Sequence, residues 1–134
     1  MLADTGVCRM PITYVLDRAR NIIIETWTGR VRAVDLAAYW RIYLADPEAI
    51  RCRRTLVDLR HATILFTGAE LAALVRTIVL PALQGKKWVS ALLVERAAQY
   101  GTSRQYQAFA EHYSNDSIFS DWNTAIDWLI QQHP

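Results

Sequence analysis

Apolar and polar positions alternate early in the chain, with the period of β-strands that are half buried in a sheet. Residues 12–16 place alternate apolar side chains on one face, and residues 22–27 are β-branched and aromatic. The polar segment between them is short, so we expect an antiparallel hairpin that ends at residues 28–30. Because both strands mix apolar and polar positions, the hairpin should lie toward an edge of the sheet.

The spacing then changes to that of an amphipathic helix. Apolar side chains recur at helical intervals at Leu36, Trp40, Tyr43 and Leu44. This pattern predicts a helix over residues 33–45. Asp46 and Pro47 should end it, because the residue before a proline avoids the helical conformation.

A short apolar strand follows over residues 55–58 and ends in the step Asp58-Leu59-Arg60. We expect a loop from this step to Thr67, where a helix begins. Strand, loop and helix would form half of a βαβ unit, and ligands of open α/β sheets gather at the carboxyl ends of such strands.

The helix after this loop has clear start and stop signals. Thr67 and Glu70 have the spacing of a capping box, and Pro81 should end or kink the helix. Its expected buried stripe is Leu71, Leu74, Val75, Ile78 and Val79.

Residues 88–94 are apolar on both faces, which predicts a central strand parallel to the strand before it. Tyr100 and Gly101 should then turn the chain. Thr102 and Gln105 have the spacing of a second capping box, so we expect another helix to begin there.

A short strand over residues 117–119 and a last helix capped by Ser120 or Asp121 complete the pattern. The alternation predicts a single α/β domain over residues 12–132, with a mixed, mostly parallel five-stranded sheet. About four helices should lie mainly on one face of that sheet, since crossovers are right-handed. Residues 1–11 are expected to form a flexible N-terminal segment.

Composition narrows the class of protein. The chain has 134 residues, of which 52% are hydrophobic and 21% charged, with a net charge of +2. This is typical of one globular domain and gives no electrostatic reason to expect nucleic acid as a partner.

Other sequence features give a set of negative expectations. Cys8 and Cys52 lack the spacing of a disulfide framework, so we expect a reducing compartment. The sequence contains no metal-ligand spacing and no Gly-rich phosphate loop, so we expect no metal and no cofactor. The first residues do not form a signal peptide, and no run is long enough to span a bilayer, so we expect residence in the cytoplasm.

Several short motifs occur in an order that can be compared with known families. They are Gly29, Asp46-Pro47, Val57-Asp58-Leu59-Arg60, Tyr100-Gly101, Phe119-Ser120-Asp121 and Trp128-Leu129. With these motifs the chain resembles the bacterial SpoIIAA-like group, which is related to the STAS domains of anti-sigma factor antagonists and sulphate transporters. The resemblance implies a SpoIIAA-like fold and a regulatory module.

In STAS switches, an Asp-Ser-Ser-Gly-like step follows this strand, and its serine is phosphorylated at the helix start. The matching stretch in this chain ends in Phe66-Thr67-Gly68, with Phe66 in the place of the aspartate. The resemblance therefore implies Thr67 as the candidate phospho-acceptor.

The candidate binding residues are Asp58, Arg60, His61, Thr67 and Gly68. Free backbone N–H groups at a helix start attract anions, and an arginine beside them would add charge and planar donors. We expect weak anion binding or a protein contact at this place.

Three functions stay open at this point. The first is a non-catalytic regulatory or protein-interaction module whose partner is another protein or a second copy in a homodimer. The second is a binder of a small apolar, lipid-like or anionic ligand, for instance between helices and sheet. The third is a small enzyme with His61 as general base and Asp58 and Arg60 beside it, although no strong nucleophile motif accompanies them.

Overall fold

Five β-strands form one sheet in the computed structural model of the chain, which describes residues 10–134. The strands are β1 (Ile12–Asp17), β2 (Ile22–Val31), β3 (Arg54–Ile64), β4 (Trp88–Leu93) and β5 (Ser114–Phe119). They lie in the order β1-β2-β3-β4-β5, with β1 and β2 antiparallel and the other neighbours parallel. The predicted mixed sheet is confirmed, with the hairpin at one edge and β4 in the interior. Most of the predicted segment 1–11, including Cys8, lies outside the described residues.

Helices cover both faces of this sheet, but unequally. They are α1 (Ala33–Tyr43), α2 (Pro47–Cys52), α3 (Gly68–Leu74), α4 (Leu80–Leu83), α5 (Ala97–Phe109) and α6 (Trp122–Ile130), with a π-helical turn (Val75–Val79) joining α3 to α4. Residues of α1 to α5 pack on one face, which we call the helical face, and α6 packs on the other, the α6 face. Helices therefore lie mainly on one face, as predicted.

Strand alternation creates the two cores. In β3, Leu56 packs with the α6 face, while the next residue, Val57, packs with the helical face. In β2, Ile22 and Ile23 divide in the same way. Both faces are thus apolar in the central strands, as a mostly parallel sheet requires.

The prediction that Asp46 and Pro47 simply end a helix is incomplete. The helix α1 ends at Tyr43, and Asp46 then caps the additional helix α2, because its carboxylate accepts a hydrogen bond of 3.0 Å from the Glu48 backbone N–H. Proline is well suited to the first turn of a helix, where its missing N–H has no intrahelical acceptor.

The predicted ends of β2 and β3 are wrong. Both strands continue, to Val31 and Ile64, and pair with each other along this extension. Three steps along β3, from Asp58 to His61, oppose two along β2, so β3 contains one extra residue. The Arg60 and His61 positions therefore belong to a bulged strand rather than to a loop.

The bulge lies where β3 stops pairing with β4. Pairing between β3 and β4 ends at Asp58 and Leu93, so carbonyl groups farther along β3 need other partners. The Gln99 Nε2 donates to the carbonyls of Arg60 at 3.2 Å and Ala62 at 3.0 Å. A buried amide side chain thus replaces the missing strand.

The predicted turn at Tyr100 and Gly101 is also wrong, since both residues lie inside α5. The helix begins at Ala97 because Gln99 Oε1 accepts hydrogen bonds from the backbone N–H groups of Glu95 and Arg96. Gln99 therefore ties the start of α5 to β3 through both ends of its amide.

The helix start at Thr67 is confirmed. Thr67 Oγ1 accepts from the Glu70 N–H at 3.1 Å, and Glu70 Oε1 accepts from the Thr67 N–H at 2.9 Å. Before Pro81, the helix changes to a π-helical turn and ends soon afterwards, at Leu83. This is consistent with the expected disturbance by proline.

We predict that Gln99→Met lowers the free energy of unfolding by about 2–4 kcal/mol, because several buried backbone groups lose their partner while side-chain volume is kept. Urea denaturation measures this change. Gln105→Met, at an exposed position of the same helix, is the control and should change stability by less than about 0.5 kcal/mol. Equal effects of the two substitutions would contradict the role of Gln99.

Candidate functional site

Asp58 and Arg60 form an ion pair on the α6 face. Asp58 Oδ1 accepts from the Arg60 backbone N–H at 3.1 Å and from Nε at 3.0 Å, and Oδ2 accepts from Nη2 at 3.0 Å. Burial raises the pKa of Asp58, but these hydrogen bonds outweigh burial and hold that pKa below its usual value. Both carboxylate oxygens are therefore occupied by Arg60.

The guanidinium of Arg60 also contacts an aromatic ring of α6. It lies 5.8 Å from the ring centroid of Trp122, within the range of a cation–π contact. The carboxylates of Glu95 and Asp121 also act on it and help to raise its pKa. Arg60 is thus engaged by groups from β3 and α6, whereas the neighbouring His61 is exposed.

Thr67 and Gly68 lie elsewhere, at the start of α3 on the helical face. The Thr67 side chain is occupied by the capping box, and Gly68 lies against α5. A Cβ added at Gly68 would lie 2.5 Å from Gln105 Nε2, the far end of an exposed and flexible side chain that can move aside. The structure does not bring Arg60 beside the start of α3, because their packing partners lie on opposite faces of the sheet.

A cavity of about 80 Å³ lies between the helical face of the sheet and the helices. We call it the inner cavity. Its walls are mostly aliphatic and aromatic, with a few polar side chains. The lining residues are Glu25, Trp27, Leu36, Trp40, Tyr43, Leu44, Thr55, Val57, Leu59, Phe66, Leu71, Val79, Leu83, Trp88, Ser90, Leu92, Thr102, Ser103 and Tyr106.

Glu25 is the charged member of this lining. It is 5% exposed, and its two oxygens accept hydrogen bonds of 2.7 Å each from Trp27 Nε1 and the Tyr39 hydroxyl. Burial raises its pKa to about 7, although both hydrogen bonds oppose that rise. Glu25 is therefore a buried acid that changes charge near neutral pH.

The sequence contained a signal for Glu25 that the strand prediction did not use. Ile23, Glu25 and Trp27 alternate along β2 and so share one face, and the two flanking residues are buried in the helical-face core. A carboxyl between two large apolar residues of the same face is placed in the core. What the pattern did not contain was Tyr39 from α1, which supplies one of the two donors.

Two polar atoms in the cavity lining have no hydrogen-bond partner among residues 10–134. They are Trp88 Nε1 and Ser103 Oγ, on residues that are 6% and 3% exposed. Buried donors and hydroxyls are normally paired, and an unpaired one costs about 1–3 kcal/mol. Both atoms have almost no accessible surface, so they lie within the packing and not on the open surface of the cavity.

The described part of the chain contains neither a cluster of metal-ligating side chains nor a membrane-spanning helix. No group of three His, Cys, Asp or Glu side chains gathers within residues 10–134. No helix in that range is long and apolar enough to cross a membrane.

No protein-family model and no curated protein matches the chain. A solved structure does: an uncharacterized protein from the DUF3478 family, with a SpoIIAA-like fold, from Shewanella loihica PV-4. The likeness has a TM-score of 0.63 at 15% sequence identity and covers 96% of this chain and 98% of that chain. The fold is SpoIIAA-like. The predicted resemblance is confirmed for the fold, and identity this low shows the fold alone.

In this SpoIIAA-like domain, the Asp58–Arg60 pair generates a double-mutant prediction. Arg60→Ala should lower the free energy of unfolding by about 2–3 kcal/mol at pH 7, since it leaves a buried carboxylate without its main partner. Adding Asp58→Asn should recover part of that loss, because the uncompensated charge is gone. Chemical denaturation of the wild type, both single variants and the double variant measures the coupling. Strictly additive effects would contradict a stabilising pair.

Glu25 generates a pH prediction. Its pKa is raised from 4.5 to about 7, so the folded state holds a proton that the unfolded state has lost. The contribution of Glu25 to the free energy of unfolding should therefore be largest below pH 4.5. It should fall by about 3 kcal/mol as the pH rises through 7. Tyr39 and Tyr43 contribute no titration there, because burial raises the pKa of each phenol.

Glu25→Gln is the matched control for this prediction. A glutamine can accept from Trp27 and donate to Tyr39, as the protonated acid does. The difference in unfolding free energy between wild type and variant should vary with pH. Asp116, whose pKa burial raises to about 6, titrates in both proteins and so cancels in this difference. A difference that stays constant from pH 4 to pH 8 would show that Glu25 does not titrate in this way.

Proposed function

We propose that the chain is a non-catalytic ligand-binding module, which takes a small, largely apolar molecule into the inner cavity. The observation that carries the proposal is the cavity itself, about 80 Å³ in volume and lined mainly by apolar and aromatic side chains. In its lining the cavity is like typical small-molecule sites, which are apolar with a few polar groups, but it is smaller than their usual volume of about 300–1,000 Å³. The proposed ligand is therefore small.

The wall of the cavity has a feature that supports binding over simple packing. Val79 and Leu83 reach it from the π-helical turn and from α4. Single π-helical turns are uncommon in helices and frequently occur at functional sites. Movement of this irregular segment offers a way for a ligand to alter the outer surface of the domain.

The enzyme alternative has less support. Both oxygens of Asp58 accept hydrogen bonds from Arg60, so the aspartate is not free to orient His61 as a general base. We therefore propose that Asp58 and Arg60 stabilise the end of β3 and have no catalytic role.

A regulatory role, a protein partner, a homodimer and residence in the cytoplasm stay predictions. A regulatory role is plausible for the fold, and the matching solved structure is itself of an uncharacterized protein. Phosphorylation of Thr67 also stays a prediction. Its hydroxyl is exposed but already accepts from Glu70, whose charge would oppose a phosphate.

The proposal is tested with benzene, a small neutral apolar probe, in NMR titrations, together with native mass spectrometry of the freshly purified protein. We expect saturable benzene binding, or a co-purified small molecule, in the wild type. Ser103→Leu should abolish both, because the larger side chain occupies space in the inner cavity. Circular dichroism shows whether this variant is folded.

Ser120→Leu is the control, since it adds the same apolar bulk at an exposed position outside the cavity lining. It should bind benzene as the wild type does. Binding that persists in a folded Ser103→Leu variant would place the probe elsewhere and count against the proposal, as would an absence of binding to the wild type.

A further inference from the structure

One edge of the sheet has backbone groups that no other strand pairs. The strand β1 forms this edge and pairs with β2 on its inner side. The Thr28 N–H donates to the Pro11 carbonyl at 2.8 Å, and the hairpin keeps the same register through Asp17. In an antiparallel pair, residues alternate between positions that bond to the neighbour and positions that face away from it. Three residues of β1 therefore have backbone N–H and C=O groups that face outward, and among residues 10–134 no hydrogen bond reaches them: Ile12, Tyr14 and Leu16.

The opposite edge of the sheet, formed by β5, is better protected. The Val94 N–H donates to the Phe119 carbonyl, so the alternate residues of β5, including Asp116, face outward. The Asp116 carbonyl accepts a hydrogen bond of 2.7 Å from Gln107 Nε2 of α5. Edge strands commonly carry such a cover, a charged side chain or a proline, which prevents pairing with another chain. From Ile12 to Leu16, β1 contains neither a charged residue nor a proline.

Exposed apolar side chains gather around the edge of β1. Seven large apolar residues are exposed in the described part of the chain, and four of them belong to β1, to α1 or to the residue that begins this part: Met10, Val15, Val34 and Ile42. The helix α1 lies beside β1, because the rings of Tyr43 and Tyr14 have centroids 5.1 Å apart. Val15 is 64% exposed and Ile42 is 56% exposed. Apolar surface therefore flanks the edge on β1 and on α1, and a clustered patch of this kind marks an interaction site more than scattered residues do.

A second copy of the chain fits this edge because the outward groups are symmetric about Tyr14. When two β1 strands run antiparallel with Tyr14 opposite its own equivalent, Ile12 of each copy lies opposite Leu16 of the other. Every outward N–H and C=O group then has a partner, and the pairing closes around a two-fold axis. On the exposed face of β1, the same register places Thr13 of one copy opposite Val15 of the other, and β-branched pairs of this kind stabilise neighbouring strands.

The charges near the ends of β1 are compatible with the same register. Asp17 is the charged residue of β1, and the register places it opposite Pro11 of the other copy. Pro11, Thr28 and Arg30 line one surface groove, and Arg30 forms no ion pair among residues 10–134. Each end of the interface thus brings a carboxylate toward a guanidinium, and no two like charges lie opposite each other along β1.

We infer that two copies of the chain join along β1 into a two-fold dimer, in which the sheet continues across the interface with Tyr14 at its centre. A single strand pair and its flanking side chains form a small interface, so the dissociation constant is on the order of micromolar. No residue of β1 lines the inner cavity, so the dimer can be tested without any ligand.

Hydrogen exchange of the full chain, measured by NMR at about 10 and about 300 µM, tests the register directly. The amides of Ile12, Tyr14 and Leu16 should exchange severalfold more slowly at the higher concentration. The amides of residues 13, 15 and 17 bond to β2 and should be protected equally at both concentrations. The outward amides of β5 are the internal control and should show no dependence on concentration.

Variants at Val15 then test the interface by sedimentation velocity over the same concentrations. Val15→Lys should raise the dissociation constant about tenfold or more, because the two lysines would lie diagonally about 7–8 Å apart across the two-fold axis. Val15→Thr keeps a β-branched side chain without charge and should dimerise within about threefold of the wild type. Ile130→Lys is the matched control, since it places the same charge at another exposed apolar position, at the end of α6, and should dimerise as the wild type does. Circular dichroism shows that each variant is folded.

A wild type that stays monomeric at about 300 µM would overturn the inference. So would outward amides of β1 that exchange at the same rate at both concentrations, because another part of the same chain would then cover the edge or nothing would. A dimer that Val15→Lys and Ile130→Lys weaken equally would place the interface elsewhere on the molecule.

Discussion

The position of α5 depends on one constraint, the need to pair the backbone of β3 after it leaves β4. Pairing between these strands stops at Asp58, and the next carbonyl groups of β3 are too buried to be left without donors. Gln99 provides the donor and, with its carbonyl oxygen, also caps the helix that carries it. One buried amide therefore fixes both the end of the strand and the start of α5.

The same contact orients the wall of the inner cavity. Ser103 and Tyr106 follow Gln99 at intervals of four and seven residues, so the three side chains share one face of α5. Once Gln99 is bonded to β3, this face is turned toward the sheet, and Ser103 and Tyr106 line the cavity. Strand alternation in β3 directs Asp58 and Arg60 toward α6 instead, which is why the two predicted groups of site residues lie apart.

Several polar groups around the inner cavity lower the stability of the fold. Unpaired polar atoms at Trp88 and Ser103 and a buried acid at Glu25 all reduce stability relative to a fully apolar, filled core. Trp27 and Tyr39 limit the cost of Glu25 by bonding both of its oxygens, so the acid is held in one orientation.

The sheet, its order of elements and the interior position of β4 could be predicted from the amino-acid pattern, because strand alternation and fully apolar runs depend on neighbours close in the chain. The capping box at Thr67 was equally readable for the same local reason. The continuation of β3 past Asp58 depends on its pairing with β2, and the orientation of Gln99 depends on a β3 carbonyl about 40 residues away in the chain, so neither could be read from local pattern. The inner cavity likewise arises where α1, α3 and α5 meet the sheet, and no local pattern records the space left between elements that pack from distant parts of the chain.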